Sequence, residues 1–121
     1  MTQNLFPDVM VDLETTGLSK DHNAVIQIAA VKFNLAERTV DGAFFDKCLM
    51  IPPGRYWDEG TRSWWGKRPE VIKGIYSRME EPKSVLEALR DWAGPNKTMW
   101  GKPTHFDHTF LDSYFVSHGI Q

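Results

Sequence analysis

The chain has 121 residues, a length that predicts one domain spanning residues 1–121. Its composition, 41% hydrophobic and 12% aromatic, is enough to build a core, whereas a net charge of −2 excludes the basic stripe that drives non-specific nucleic-acid binding. A single cysteine excludes an intrachain disulfide and a thiolate zinc cluster. Because the sequence has neither an 18-residue apolar run nor a signal-like N-terminus, we expect a cytoplasmic protein with no membrane partner.

Strand-like segments come first along the chain. They cover about residues 8–13, 24–35 and 39–51, and the polar turn between the last two predicts an antiparallel meander. Residues 52–54, Pro-Pro-Gly, end strand structure because proline cannot donate to a ladder.

Helical patterns follow this break. Two short helical pieces are predicted at 61–66 and 69–76, and an amphipathic helix at 82–93, which Gly94-Pro95 ends. A short strand at 97–101 and a long helix at 106–118 complete the chain. This order predicts an α/β fold with a mixed sheet.

Two carboxylates, Asp12 and Glu14, close the apolar run Val9–Val11. Strand side chains alternate between faces, so residues two apart share one face. Two anions on a buried strand are costly unless a cation joins them, and a divalent metal with oxygen ligands is the usual solution. The alternative interpretation is an acidic step at a strand end that enters a solvated loop.

The turn Thr15-Thr-Gly-Leu18 follows the acid pair at once, and a second apolar strand follows the turn. Together these segments resemble the first motif of the DEDD (DnaQ-like) exonucleases, which are ribonuclease-H-like proofreading and RNA-processing nucleases. The resemblance implies a ribonuclease-H-like mixed sheet, 3′–5′ exonuclease activity and a Mg²⁺ or Mn²⁺ cofactor. It also implies that the pocket for the terminal nucleotide is formed by Thr15, Thr16, Gly17 and Leu18.

A third acid, Asp107, lies in the first turn of the last predicted helix, where unpaired N–H groups and the helix dipole favour a carboxylate. Ordinary helix capping is the alternative. A Phe-Asp step before Phe110-Leu111 resembles the second DEDD motif, which implies that Asp107 joins Asp12 and Glu14 as catalytic metal ligands. Their carboxyl groups are then expected within about 4–8 Å of one another.

The element Thr61-Arg-Ser-Trp-Trp65 resembles a feature of phage and bacterial members of this family. Trp64 and Trp65 are expected either to pack in the core or to stack on bases of the substrate. A phage-encoded protein would work in the host cytoplasm.

The family closes its site with a fourth aspartate on a late helix, preceded by a His or a Tyr. This chain pairs only His108 with Asp112, at a spacing that does not match, so we expect a site that is C-terminally incomplete relative to the family. Two functions stay open. One is metal-dependent 3′–5′ hydrolysis of single-stranded DNA or RNA, at a low rate unless the missing acid is supplied by a longer natural reading frame, of which this chain would be a fragment, or by a homo-oligomer or partner chain. The other is a catalytically impaired module that binds nucleic acid or protein.

Overall fold

The computed structural model describes residues 5–101 and 104–120, with side-chain surroundings given for 5–101 and 107–120. The strands within these ranges are β1 (Asp8–Thr15), β2 (Val25–Asn34), β3 (Thr39–Val40), β4 (Phe45–Leu49), β5 (Met79–Glu80) and β6 (Thr98–Trp100). The helices are α1 (Glu59–Gly66), α2 (Pro69–Ser77), α3 (Pro82–Ala93) and α4 (Thr104–Ser117).

The strands form one mixed sheet in the order β5-β4-β2-β1-β6, and β3 pairs with β2 beside this path. Strand β2 runs antiparallel to both β1 and β4, whereas β6 runs parallel to β1 and β5 parallel to β4. The expected antiparallel meander and mixed α/β sheet are therefore confirmed.

The prediction of one long third strand at 39–51 was wrong, because the chain turns between β3 and β4. The Asp41 carboxylate accepts a hydrogen bond from the Ala43 backbone N–H at 3.0 Å, and Gly42 lies between them. Such a side-chain-to-backbone bond favours a turn over a continuous ladder. Two short strands result, each paired with a different part of β2.

The main core lies between one face of the sheet and helices α3 and α4. Strand β1 contributes Val9, Val11 and Leu13, all at most 7% exposed. Helix α3 begins after Glu81, whose carboxylate accepts hydrogen bonds from the next backbone N–H groups, and it ends at Gly94 with φ 77°. Its buried stripe against the sheet confirms the predicted amphipathic helix.

The other face of β1 is only partly covered, and this corrects the expectation that both acids lie on a buried strand. Asp12 is exposed and Glu14 is half-buried. The pattern is explained by alternation, since the apolar residues take the core face and leave the acids on the opposite face.

Among the described residues, no helix combines the length and the apolar character needed to cross a membrane.

Candidate functional site

The acid pair lies on one face of β1, near the carboxyl end of the strand. Asp12 faces Ala29 and Glu14 faces Gln27 across the antiparallel ladder with β2. Burial, and to a smaller extent the charge of Asp12, raises the pKa of the Glu14 carboxyl above its ordinary value. Both causes disfavour the ionised form of Glu14. A cation bound between the two carboxylates would offset this unfavourable negative charge.

An open depression of about 220 Å³ lies on the same sheet face, directly beside Asp12. Its floor includes Ala29 and Val31 of β2, and Phe44, which is 71% exposed, lines it. An apolar part of a ligand would therefore contact the sheet next to a carboxylate.

The turn after β1 is fixed by Thr16, which is fully buried. Its hydroxyl donates to the Tyr56 carbonyl and accepts from the Ala24 N–H, each at 2.7 Å. Its backbone N–H donates to the Ala24 carbonyl, and its carbonyl accepts from the Asp58 N–H. All these groups are bonded within the protein, so Thr16 shapes the turn and its side chain presents no surface to a ligand.

Gly17 and Leu18 complete the turn in different ways. A Cβ on Gly17 would lie 2.3 Å from Asn23 Oδ1 and 2.8 Å from Asp58 Cβ, so the close packing there requires glycine. Leu18 next to it is 83% exposed. The hydroxyl of Thr15 donates to the Gly17 carbonyl at 2.8 Å. The turn is thus fixed by close packing at Gly17 and by the Thr15 hydrogen bond, and it presents the apolar side chain of Leu18 to solvent.

Asp107 lies in the first turn of α4 and is 5% exposed. Together with Val11 of β1 and Trp100 of β6, it lines a small cavity of about 10 Å³. Among the residues that the structure describes, no group of three or more His, Cys, Asp or Glu side chains is arranged to hold a metal ion. The structure therefore brings Asp12 and Glu14 together and places Asp107 beside the same strand, and convergence of all three carboxylates stays a prediction.

The two tryptophans differ in environment. Trp65 is 5% exposed and packs with Ile26, Cys48 and Ile75 in a second core cluster. Trp64 is 48% exposed, and the Arg68 guanidinium lies 3.6 Å from the centre of its ring. Trp65 is a core residue in this conformation, so a stacking role is compatible only with Trp64.

Sequence reasoning missed the polar residues that support the turn. The Asn23 carboxamide accepts from the Ser19 N–H and donates to the Tyr56 carbonyl, each at 2.9 Å. Asn23 follows an ordinary polar loop, so its spacing gave no signal. His105 lies two residues before Asp107 in the sequence, close enough to the acids to be a candidate base, and its side chain is outside the described residues.

The model of the 3′–5′ exoribonuclease Rv2179c-like domain matches residues 7–121 of this chain. Two curated relatives are PolC-type DNA polymerases III. That of Lacticaseibacillus paracasei is 33% identical over 113 residues and that of Listeria innocua 27% identical over 111 residues, covering 93% and 91% of this chain. The chain spans only 7% of the length of either polymerase.

Solved structures of Escherichia coli Exonuclease I share the fold. The complex with a dT13 oligonucleotide matches with a TM-score of 0.74 and 16% identity, and the complex with a 5cy-dA13 oligonucleotide with 0.75 and 15%. Each alignment covers 94% of this chain and 24% of the exonuclease chain. The ribonuclease-H-like architecture expected from the sequence is confirmed.

Proposed function

Because the chain belongs to the 3′–5′ exoribonuclease Rv2179c-like domain family, we propose that it removes nucleotides from the 3′ ends of single-stranded RNA or DNA with the aid of Mg²⁺ or Mn²⁺. The observation that carries the proposal is the position of the acid pair. Asp12 and Glu14 share an open sheet face immediately before the packed turn that ends in Leu18. An exposed apolar side chain therefore follows the second carboxylate by four residues in the chain.

The residues present fit a hard divalent cation. Mg²⁺ and Mn²⁺ prefer oxygen ligands, and the two carboxylates supply them where burial and mutual repulsion already raise the pKa of Glu14. Asp12 and Glu14 would hold the metal, with Asp107 as the third acid. The bound ion would supply a water nucleophile and stabilise charge on the leaving oxygen.

The protein's own residues would position the strand. The exposed Leu18 side chain would give the terminal base an apolar surface. The depression beside Asp12 is a separate apolar surface, which Leu18 does not line. The net charge of −2 offers little general attraction for phosphates, so metal and local contacts would carry the binding. Trp64 supplies a further half-exposed ring, one face of which the Arg68 guanidinium covers, so a base would stack on the other face or displace Arg68. Base–aromatic stacking is worth about 1–3 kcal/mol per base.

The first experiment compares labelled single-stranded RNA and DNA of the same sequence, each incubated with the protein and Mn²⁺. We expect shortening that chelation of the metal stops and that Asp12→Asn and Glu14→Gln each lower by at least about 100-fold, because even outer-shell partners of a metal cost 10–100-fold. Asp91→Asn is the matched control, since this aspartate lies on α3 and its side chain is 72% exposed. The preferred strand identifies the substrate class.

Binding of either strand without shortening at any metal concentration would contradict the catalytic proposal. In that result the chain is the alternative, a nucleic-acid binding module on an exonuclease fold. Equal shortening by wild type and Asp12→Asn would also contradict it, because the reaction would then not depend on the acid pair.

A further inference from the structure

We propose that Arg55 is a positioning residue, which fixes the helix that carries Asp107 against the loop that follows the acid pair. It would thereby set the place of the terminal nucleotide relative to the carboxylates. This inference rests on the proposed function, and it concerns a residue that lies in the connection between β4 and α1, outside the acidic motifs.

A single guanidinium joins the two parts. Arg55 Nη1 donates to the backbone carbonyls of Lys20 and Asn23, at 2.5 and 2.8 Å. Its Nη2 donates to Ser113 Oγ of α4 at 3.0 Å. The Ser113 hydroxyl itself donates to the Lys20 carbonyl at 2.9 Å. The loop and the helix are thus connected both directly and through Arg55.

Tyr114 completes the connection from the buried side. The Arg55 guanidinium lies 4.2 Å from the centre of the Tyr114 ring, a distance that allows a cation–π contact. The Tyr114 hydroxyl accepts a hydrogen bond from the Val25 N–H at 2.7 Å, and the side chain is fully buried. Helix α4 is therefore held to the first residue of β2 as well as to the loop before it.

The connection reaches the site at both ends. Ser113 and Tyr114 follow Asp107 by six and seven residues on the same helix. That is two turns, or about 10 Å along the axis, so fixing their position also fixes the rotation and height of Asp107. At the other end, Asn23 bonds to the Ser19 N–H and packs against Gly17. A shift of Arg55 would move the turn and Asp107 relative to each other.

The chemistry requires arginine at this place. A guanidinium presents donors in a fixed planar fork and can bond two carbonyls and a hydroxyl while its face lies on a ring. A lysine ammonium keeps the charge but donates from one nitrogen atom and has no planar face to lie on the Tyr114 ring, so it cannot reproduce the bonds to both carbonyls, the bond to Ser113 and the ring contact together. Arg55→Lys is therefore the informative variant, with Arg62→Lys on the exposed face of α1 as the matched control.

The kinetic test measures KM and kcat for single-strand shortening at a temperature where every variant is folded. We expect Arg55→Lys to raise KM and to lower kcat, so that kcat/KM falls by about 10-fold or more. The reason is that small misplacements of reacting groups cost up to about 10²-fold in rate. Arg62→Lys should match wild type. In Arg55→Ala, added methylguanidinium should restore part of kcat/KM. Unchanged kinetic constants in Arg55→Lys, or a loss seen only as a lower melting temperature, would overturn the inference.

Hydrogen exchange provides a readout that does not need activity, so failure of the proposed function can be told apart from failure of this inference. In Arg55→Lys we expect amide protection to fall together in residues 19–23 and 107–113, with protection in α3 unchanged. An even loss of protection along the chain would show that Arg55 contributes only to global stability, and would overturn the inference even if the wild type degrades nucleic acid.

Discussion

Asp12 and Glu14 project from the same face of β1, and burial together with the charge of Asp12 holds the pKa of Glu14 above its ordinary value. The folded chain therefore stores an unfavourable interaction at this place when both groups are ionised. Repulsion of this kind between ionised groups is typical of a functional site, where a bound ligand offsets it.

Replacing Glu14 by glutamine should stabilise the metal-free protein at neutral pH. Because the pKa of Glu14 is raised in the folded state, the contribution of its carboxyl group to stability is fully present below pH 4.5, the ordinary pKa of this group. That contribution is lost as the pH rises through the raised pKa of the folded state. The melting temperature of Glu14→Gln should exceed that of wild type at neutral pH with chelator, and the difference should shrink in acid. Glu37→Gln in an exposed turn is the control, and equal midpoints of Glu14→Gln and wild type at neutral pH would contradict this explanation.

With divalent metal bound, wild type should become more stable than Glu14→Gln. Mn²⁺ relieves the repulsion between the carboxylates, so wild type should gain about 2.7 kcal/mol of unfolding free energy at about 100 times the dissociation constant. Thermal denaturation with and without Mn²⁺ measures the gain, which Asp12→Asn should lose and Asp91→Asn should keep. An equal shift in all three proteins would place the metal elsewhere.

Gly17→Ala should damage the turn without changing Asp12, Glu14 or Asp107. The added methyl carbon would lie 2.3 Å from Asn23 Oδ1, so either Asn23 or the turn must move. Overpacking of this kind costs about 1–3 kcal/mol, and substrate binding should weaken together with stability. Gly74→Ala in α2 is the matched control because its Cβ would meet nothing within 4 Å, and it should stabilise by about 0.5–1 kcal/mol. Urea denaturation and oligonucleotide affinity separate the two variants, and a neutral Gly17→Ala would refute the packing argument.

Tyr114 should make stability fall in alkali. Burial raises the pKa of its hydroxyl to about 12, so its contribution is complete below the ordinary value of 10 and is lost as the pH rises towards 12. Tyr114→Phe leaves the Val25 N–H without its partner and should cost about 1–3 kcal/mol at neutral pH. Denaturant unfolding at several pH values should show the gap between wild type and variant closing in alkali. A gap that stays constant up to pH 12 would contradict the assignment.

Local patterns predicted the parts of the structure that depend on local chemistry. Helix α3 was predicted at residues 82–93 and observed there, because an apolar stripe, a first-turn proline and Gly94 all act within one segment. Alternation along β1 likewise predicted that Asp12 and Glu14 share a face. It did not predict how that face is covered, which depends on elements distant in sequence.

Long-range contacts account for what sequence reasoning missed. Arg55 bonds to backbone carbonyls 32 and 35 residues earlier, and a carbonyl acceptor has no residue signature. Strand β5 has two residues and exists only through its pairing with Cys48 and Leu49. The orientation of α1 relative to the sheet decides whether Trp64 or Trp65 is buried. The sequence pattern alone allowed either. The place of Asp107 depends on a tertiary approach that the helix signal cannot specify.

The most direct test of the central claim follows the shortening of one strand of RNA labelled at its 5′ end, with Mn²⁺, by wild type and by Asp12→Asn. We predict a ladder of products that shorten one nucleotide at a time from the 3′ end with wild type, and an intact strand with Asp12→Asn. Release of the label as a mononucleotide, or the same ladder from both proteins, would contradict 3′–5′ hydrolysis at the acid pair.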